Sequence, residues 1–522
     1  MKDFAKIQIK APKRNTFNLS HDVKLSCKFG QLVPVLCEEV LPGDNFKVNT
    51  EALIRFAPLV APTMHEFNVY FHNFFVPNRL VWDSWKDFIT GGENGQQNPA
   101  FPNFEVNRGV VDYFNKGRLG DYLGIQTMSA TTFGNTNVVK INALPFRAYA
   151  LIYNEFYRDQ NLENPIIFSK GSGSANSDLL NLTAVRKRAW EKDYFTTALP
   201  WAQRGAEIEL PLVGNAPITS NSEAIQLRAM DGSALSGNIS IGSGSSGDYN
   251  INASTKPLRF GTDTGLEVNM NNISSATINE LRRATALQKW FEKSARGGSR
   301  YIEQILSHFG VKSSDSRLQR PEYLGGSKLP VVISEVLQTS NSTTTPAVSP
   351  QGNMAGHAIA GGGTPSVTRQ FEEHGFIMTI MSIMPRSSYF QGIPRKFTKV
   401  DRFDYYWPDF AHLGEQEVLK QELFFKPEND NDNKGTFGYQ ARYAEYKYSP
   451  SRVCGDFRDS YEMWHAARKF SDLPALNADF VKCDGTDRIF AVQTPTIDKL
   501  YCHVANNVYA NRPIPLFSIP TL

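Results

Sequence analysis

The chain has 522 residues, 41% of them hydrophobic, and a net charge of +3. It is therefore long enough to bury a large core, and its overall charge is too weak to mark a nucleic-acid binder by itself. Aromatics make up 12%, with 35 Phe and 20 Tyr beside 29 Pro and 38 Gly, which favours β structure with many turns and extensive packed or intersubunit surface.

Residues 1–20 form a basic arm carrying Lys2, Lys6, Lys10, Lys13 and Arg14 against Asp3 alone. The arm is either a plain solvated terminus or a neutraliser of phosphates. It has no apolar core segment of the kind a secretory leader needs. The longest apolar run, Gly375 to Met384, is about half of what spans a bilayer, so a soluble protein without membrane insertion is expected.

Strand-like segments follow at Leu32–Val48 and Thr63–Val76. In the second, Phe67, Val69, Phe71 and Phe75 share one face while Tyr70 and Phe74 load the other, so both sides should be covered. Pro77 has no N–H to donate and ends the ladder; Leu80, Trp82, Trp85, Phe88 and Ile89 then return at helical spacing. Asn142 is expected to cap a helix with Pro145 in its first turn and Phe146, Tyr149, Ile152, Tyr153 and Phe156 along one stripe.

Between residues 205 and 275 the composition changes. Tyr249 and Phe260 are the sole aromatics, where the chain average would give about eight, and seven acidic residues face three basic ones. That local balance of −4 leaves +7 on the remainder. GSGSSGDYN (242–250) has the composition of a loop, and the alternating pieces Ala206–Leu210 and Asn238–Ile241 suggest small hairpins. Such a segment adds little to a core and reads as a surface insertion.

Helical structure resumes at Thr277-x-x-Glu280, a capping box followed by Leu281, Ala284, Leu287 and Phe291. Gly297-Gly298 interrupt it, and a second helix carries Tyr301, Ile302, Ile305, Leu306 and Phe309 on one face before Gly310. Further strand signals lie at Pro330–Gln338, Gly375–Met384, Tyr439–Tyr448, Arg488–Gln493 and Tyr501–Tyr509. Strands spread over the whole chain with helices between them argue for one elaborated sandwich rather than βαβ units.

The sequence gives no positive support for catalysis, cofactor or metal. Asp430-x-Asp432-x-Lys434-Gly435 starts like an EF-hand, but Lys434 stands at the fifth position and Ala441 at the twelfth, where a bidentate Glu is needed. The nine histidines lack zinc spacing, and His65 and His72, seven apart on a strand, point to opposite faces. The five cysteines, Cys27, Cys37, Cys454, Cys483 and Cys502, are too scattered for a disulfide framework and fit a reducing compartment. FGYQARYAEYKY (437–448) interleaves Tyr439, Tyr443, Tyr446 and Tyr448 with Arg442 and Lys447. It suits either base stacking with phosphate neutralisation or an amphipathic strand at a subunit contact.

Four extended stretches carry a family resemblance: FNLSHDVKLSCKFGQLVPVLCEEVLPGD (17–44), RFAPLVAPTMHEFNVYFHNFFVPNRLVWDSWKDFITGG (55–92), LPFRAYALIYNEFYRDQN (144–161) and FGYQARYAEYKYSPSRVCGDFR (437–458). In this order they resemble the major capsid proteins of microviruses, small tailless single-stranded-DNA bacteriophages, most of all the gokushovirus branch. The resemblance fades within 205–275.

It implies a mainly β protein built on a single eight-stranded antiparallel jelly roll with long loop and helical insertions. It further implies self-assembly into a T=1 icosahedral shell around circular single-stranded DNA, in the cytoplasm of a bacterial host. An internal scaffolding protein, a DNA pilot protein and a host receptor would be the partners. The expected organisation is a basic arm (1–20), a first part of the core (21–204), a variable surface insertion (205–275) and a second part with an extended C-terminal tail (276–522). Expected DNA contacts are Lys2, Lys6, Lys10, Lys13, Arg14, Arg442 and Lys447; expected attachment residues are Asp231, Asp248, Tyr249 and Asp263. The alternative is a non-viral jelly roll that binds carbohydrate or acts as an enzyme.

Overall fold

In the computed structural model, the alternating segments become eight main strands: β1 (His21–Cys27), β2 (Val33–Val40), β3 (Asn45–Phe56), β4 (Phe67–Pro77), β5 (Glu322–Pro330), β6 (Met354–Gly363), β7 (Gly375–Pro385) and β8 (Leu500–Arg512). The structure describes residues 13–131, 133–134, 136–206, 208, 277–339 and 352–517, together with the backbone of six short strands between 218 and 268.

The smaller sheet runs β5-β4-β7-β2, antiparallel throughout. In the larger sheet β8 lies beside β3, which is followed by β6 and then Val332–Leu337. Asn15–Asn18 and β1 both pair with β8, and Val367–Gln370 pairs with β3. The segment expected as one strand over 32–48 is two, because Gly43 at φ 89° turns the chain between β2 and β3.

β4 has both faces covered, and its sequence explains how. Phe67, Val69 and Phe71 meet Ile54, Phe56, Ala358 and Val504 of the larger sheet. Phe74 and Val76 point the other way, into a second core with Trp82, Phe104, Phe146 and Tyr149. The strand starts four residues later than its aromatic pattern implies and ends at Pro77. Beyond it a 3₁₀ turn (Asn78–Leu80) and the short helix α1 (Trp85–Thr90) bury Trp82, while Ile89 stays exposed.

Helix α2 (Leu144–Ile152) places Phe146, Tyr149 and Ile152 in that second core. Its cap lies one residue later than expected: Ala143 takes the cap position, while Asn142 Oδ1 accepts from Leu144 N–H at 2.8 Å. Helix α3 (Ile278–Gly297) begins at the expected reciprocal box, with Thr277 N–H donating to Glu280 at 2.7 Å and Glu280 N–H to the Thr277 hydroxyl at 3.2 Å. Helix α4 (Tyr301–Phe309) ends in the left-handed Gly310.

One expected strand is cut short and another does not form. Of Tyr439–Tyr448 only the start is extended, within Thr436–Ala441; Tyr443 adopts φ 62°, which turns the chain out of the ladder. Over Arg488–Gln493 Phe490 makes a single bridge to Leu59. There Arg488 donates to the carbonyls of Glu462 (3.0 Å), His465 (3.2 Å) and Ala467 (2.6 Å), so a side chain anchors the segment where a ladder was expected.

The chain divides into two compact units, Met1–Ala202 with Ser294–Leu522, and Gln203–Lys293. In the second, three strand pairs are nested: Ile218–Ser220 with Leu266–Val268, Leu227–Ala229 with Leu258–Phe260, and Ser240–Ser243 with Tyr249–Asn252. The innermost pair includes part of the hairpin expected near Asn238–Ile241, whereas most of Ala206–Leu210 lies outside the described residues.

Candidate nucleic-acid interface

Lys2, Lys6, Lys10, Asp231, Asp248 and Asp263 lie outside the described residues, and Tyr249 is described by backbone alone. Lys13 and Arg14 are exposed ahead of Asn15–Asn18. The remaining two expected contacts, Arg442 and Lys447, flank the turn at Tyr443, and this turn organises a larger surface.

Tyr443 is buried in its left-handed conformation. Its backbone N–H donates to Gln416 at 3.0 Å, and its hydroxyl donates to Tyr405 O at 3.3 Å and accepts from Trp407 N–H at 3.4 Å. The turn thereby holds the 405–407 loop against the 442–448 segment. Tyr406 lies edge-on to Tyr443 with ring centroids 5.0 Å apart, and Tyr446 is 6.3 Å from Tyr406. Tyr405, Tyr406, Trp407, Tyr446 and Tyr448 are all about half exposed, an unusual density of open aromatic faces.

Cations sit among these rings. The Lys399 ammonium lies 3.9 Å from the Tyr446 ring centroid, Arg442 stacks at 4.9 Å over Tyr443, and Arg402 at 4.7 Å over Phe403. Lys399 also pairs with Glu445 at 2.9 Å. Burial opposes the charge on Lys399, but its hydrogen bonds to Glu445 and Tyr446 prevail and hold it above the ordinary lysine value. Burial likewise pushes the Glu445 carboxyl up, yet the bonds from Lys399 and Gln416 outweigh it and keep the group below its usual range. The pair stays ionised and fixed. Lys447 is exposed and makes no ion pair among the described residues.

Beside this surface lies a cleft of about 700 Å³ whose walls include Arg158, Lys192, Arg296, Arg300 and Lys447 with Asp159, Asp193 and Glu303; Lys192 pairs with Asp159 and Arg300 with Glu303, each at 2.9 Å. Burial lowers the Arg296 guanidinium to about 10, where it remains charged at neutral pH, and Arg296 pairs with Glu415. Open aromatic faces beside fixed cations and the exposed Lys447 can stack bases and neutralise phosphates without reading sequence. Phe397, Lys399, Arg402, Phe403, Tyr405, Tyr406 and Trp407 were not singled out in the sequence, because they follow neither helical nor strand periodicity. The signal that could have found them is plain density: PRKFTKVDRFDYYW (394–407) packs five aromatics and four cations into one loop.

The other constellations are taken up by local structure. Asp430 pairs with Lys434 at 2.6 Å and Asp432 accepts from Asn429 at 2.8 Å in the turn Asp430–Asn433. His65 precedes β4 instead of lying on it, with Nε2 2.8 Å from Arg386 O, while His72 Nδ1 is 2.7 Å from the Tyr157 hydroxyl. Burial pushes both imidazoles down to about 4, so each is neutral at pH 7. No helix among the described residues is long and apolar enough to cross a membrane.

The sequence matches the capsid protein (F protein) family over residues 5–522. It is 34% identical to the capsid protein VP1 of Chlamydia phage 1, across 99% of this chain and 97% of that protein. The VP1 of Bdellovibrio phage phiMH2K is 36% identical across 99% and 97%, and that of Spiroplasma virus 4 is 30% identical across 98% and 95%. The role these matches carry is structural and non-enzymatic, in a capsid of many copies. With antiparallel sheets throughout the described residues and matches that run nearly from end to end, the chain belongs to the F-protein family of phage capsid proteins, the microvirus family that its four motif stretches resemble.

Proposed function

We propose that this capsid protein is the subunit of a closed T=1 icosahedral shell around circular single-stranded DNA, built on one eight-stranded jelly roll. The observation that carries the reading is the pairing of the main strands: β1 with β8, β2 with β7, β3 with β6 and β4 with β5. A ribbon of four antiparallel pairs, wrapped so that its members alternate between two sheets, is the topology of the jelly roll. The sheet orders β1-β8-β3-β6 and β2-β7-β4-β5 are what such wrapping produces.

In this reading residues 1–20 are an inward arm, 21–204 and 276–522 the two parts of the core, and 205–275 an outward insertion that attaches to the host through residues such as Asp231, Asp248, Tyr249 and Asp263. The net −4 of that insertion is unfavourable beside packaged phosphates, which supports the outer side. The surface formed by 396–407 and 442–448 faces the genome together with Lys2, Lys6, Lys10, Lys13 and Arg14. Assembly takes place in the host cytoplasm with an internal scaffolding protein and a DNA pilot protein.

Electron microscopy of the expressed protein tests the shell: closed particles are expected, and a uniformly monomeric protein under all assembly conditions overturns it. A reconstruction of DNA-filled particles tests the genome side. Nucleotide density against Tyr446, Lys447 and Trp407 is expected; finding these residues on the outer surface refutes the placement.

A further inference from the structure

Helix α4 has its polarity reversed. At 100° per residue, Tyr301, Ile302, Ile305, Leu306 and Phe309 fall in one stripe, and Glu303, Gln304, Ser307 and His308 in the opposite one. A surface helix ordinarily turns the apolar stripe toward its own core. Here the polar stripe faces the chain. Gln304 donates to Ser294 O at 3.1 Å and to Gly298 O, His308 Nε2 and the Ser294 hydroxyl are 3.0 Å apart, and the Ser307 hydroxyl lies against Gly297. No residue of α4 is buried, and Tyr301 (72%), Leu306 (52%) and Phe309 (79%) are exposed. Polar bonds fix the inner face, Ile302 and Ile305 are half-buried, and Tyr301, Leu306 and Phe309 are held outward by the fold itself.

A second uncovered apolar element lies in the segment that follows β8. Leu516 and Phe517 are 60% and 76% exposed in the tail NRPIPLFSIPTL (511–522). Pro513, Pro515 and Pro520 keep this tail from helix and remove backbone donors, so it can dock mainly through side chains. Between Pro513 and Thr521 it carries no charge, which suits a stripe without charged residues. Proline-rich extended segments commonly lie across aromatic ridges, and Tyr301 and Phe309 supply one. A single extended segment on a nine-residue helix buries less than a stable dimer needs, so the contact belongs where many form at once.

We propose that the outward stripe of α4 is the seat of the C-terminal tail of a second copy of this chain, a head-to-tail contact made on assembly. This rests on the shell reading above. Each subunit gives one tail and receives another, so the contact can close around a symmetric particle.

The test uses full-length chains with exposed Cys454 replaced by Ser. One carries Phe309→Cys, the other Phe517→Cys, and the two are co-assembled and oxidised as particles. The expected product is a disulfide joining position 309 of one chain to 517 of another. Links only between two 309 positions would mean that helix packs on helix, and would overturn the tail as occupant, as would no link at all. Independently, Phe309→Asp and a chain ending at Arg512 should each lower particle yield at least tenfold while retaining the wild-type circular dichroism spectrum, and combining them should add little. Normal yield from either overturns the contact. If the unmodified chain forms no particles, the shell reading fails, and this inference with it.

Discussion

Strand β4 and the strands of the inserted unit are both antiparallel, yet they are made of opposite materials. β4 is FNVYFHNFFVP, buried at every position but His72. The inserted strands are three or four residues long, ITS, LRA, SIGS, YNIN, LRF and LEV. In the first, a one-residue slip would exchange two sets of core contacts, so packing dictates register. In the second, nested pairing joins strands only three or four residues long, whose sole aromatics are Tyr249 and Phe260. Geometry that a shell depends on belongs in material of the first kind, and variable surface in the second.

The largest test removes one side of that comparison. Replacing Asn215–Gly265 with a short Gly-Ser linker should leave shells visible by electron microscopy and abolish adsorption to host cells. Retained infectivity on the same host would sink the attachment role; absence of any shell would sink the separation of geometry from surface.

Next in size is the core. Phe71→Ala should cost about 3–5 kcal/mol in a denaturant titration, since Phe71 is fully buried between the sheets. A loss under about 1 kcal/mol would mean that packing at β4 does not carry this stability.

Acid should act on β4 and its approach through His65 and His72. His65 and His72 have folded values near 4 against an ordinary 6.5, through burial in both cases. As pH falls from 6.5, the unfolded chain takes up protons that the folded chain does not. Stability is therefore lost between pH 6.5 and 4, and these groups contribute no further loss below that. Each unit of depression is worth about 1.4 kcal/mol. A His72→Gln variant should show a shallower fall in denaturation midpoint across that window; an unchanged slope would remove His72 as a cause.

The smallest expected effect is at the aromatic and basic surface. Arg442→Gln with Lys447→Gln should weaken single-stranded DNA binding most at low salt, with the two titration curves converging as salt rises. Parallel curves would mean that the two cations do not meet phosphates.

Legibility followed local chemistry. Pro77, the Thr277–Glu280 box and Gly310 each announce an element boundary through backbone chemistry that needs no tertiary partner. β6, MAGHAIAGGG, was invisible because small residues have weak strand preference. Tertiary packing selects them: a side-chain carbon at Gly356 would sit 2.4 Å from Ala61 O. The run at 439–448 reads as a strand by alternation, but the hydrogen bonds that Tyr443 makes to Gln416, Tyr405 and Trp407, from distant parts of the sequence, stabilise a turn there. The same long-range dependence hid the 396–407 loop, whose aromatics acquire a common surface only when Tyr443 gathers them.

The place of β8 also sets a timetable for synthesis. This strand begins at residue 500 but lies inside the larger sheet, bonded to β1 from residue 21 and to β3 from residue 45. β1 and β3 therefore leave the ribosome long before the strand that joins them exists. The smaller sheet can assemble as soon as β7 emerges, whereas the larger must wait for almost the entire chain, a high-contact-order step that is slow by nature. A nascent or truncated chain is thus unfinished on the sheet to which its first strand belongs, and only full-length copies can present a completed surface to their neighbours.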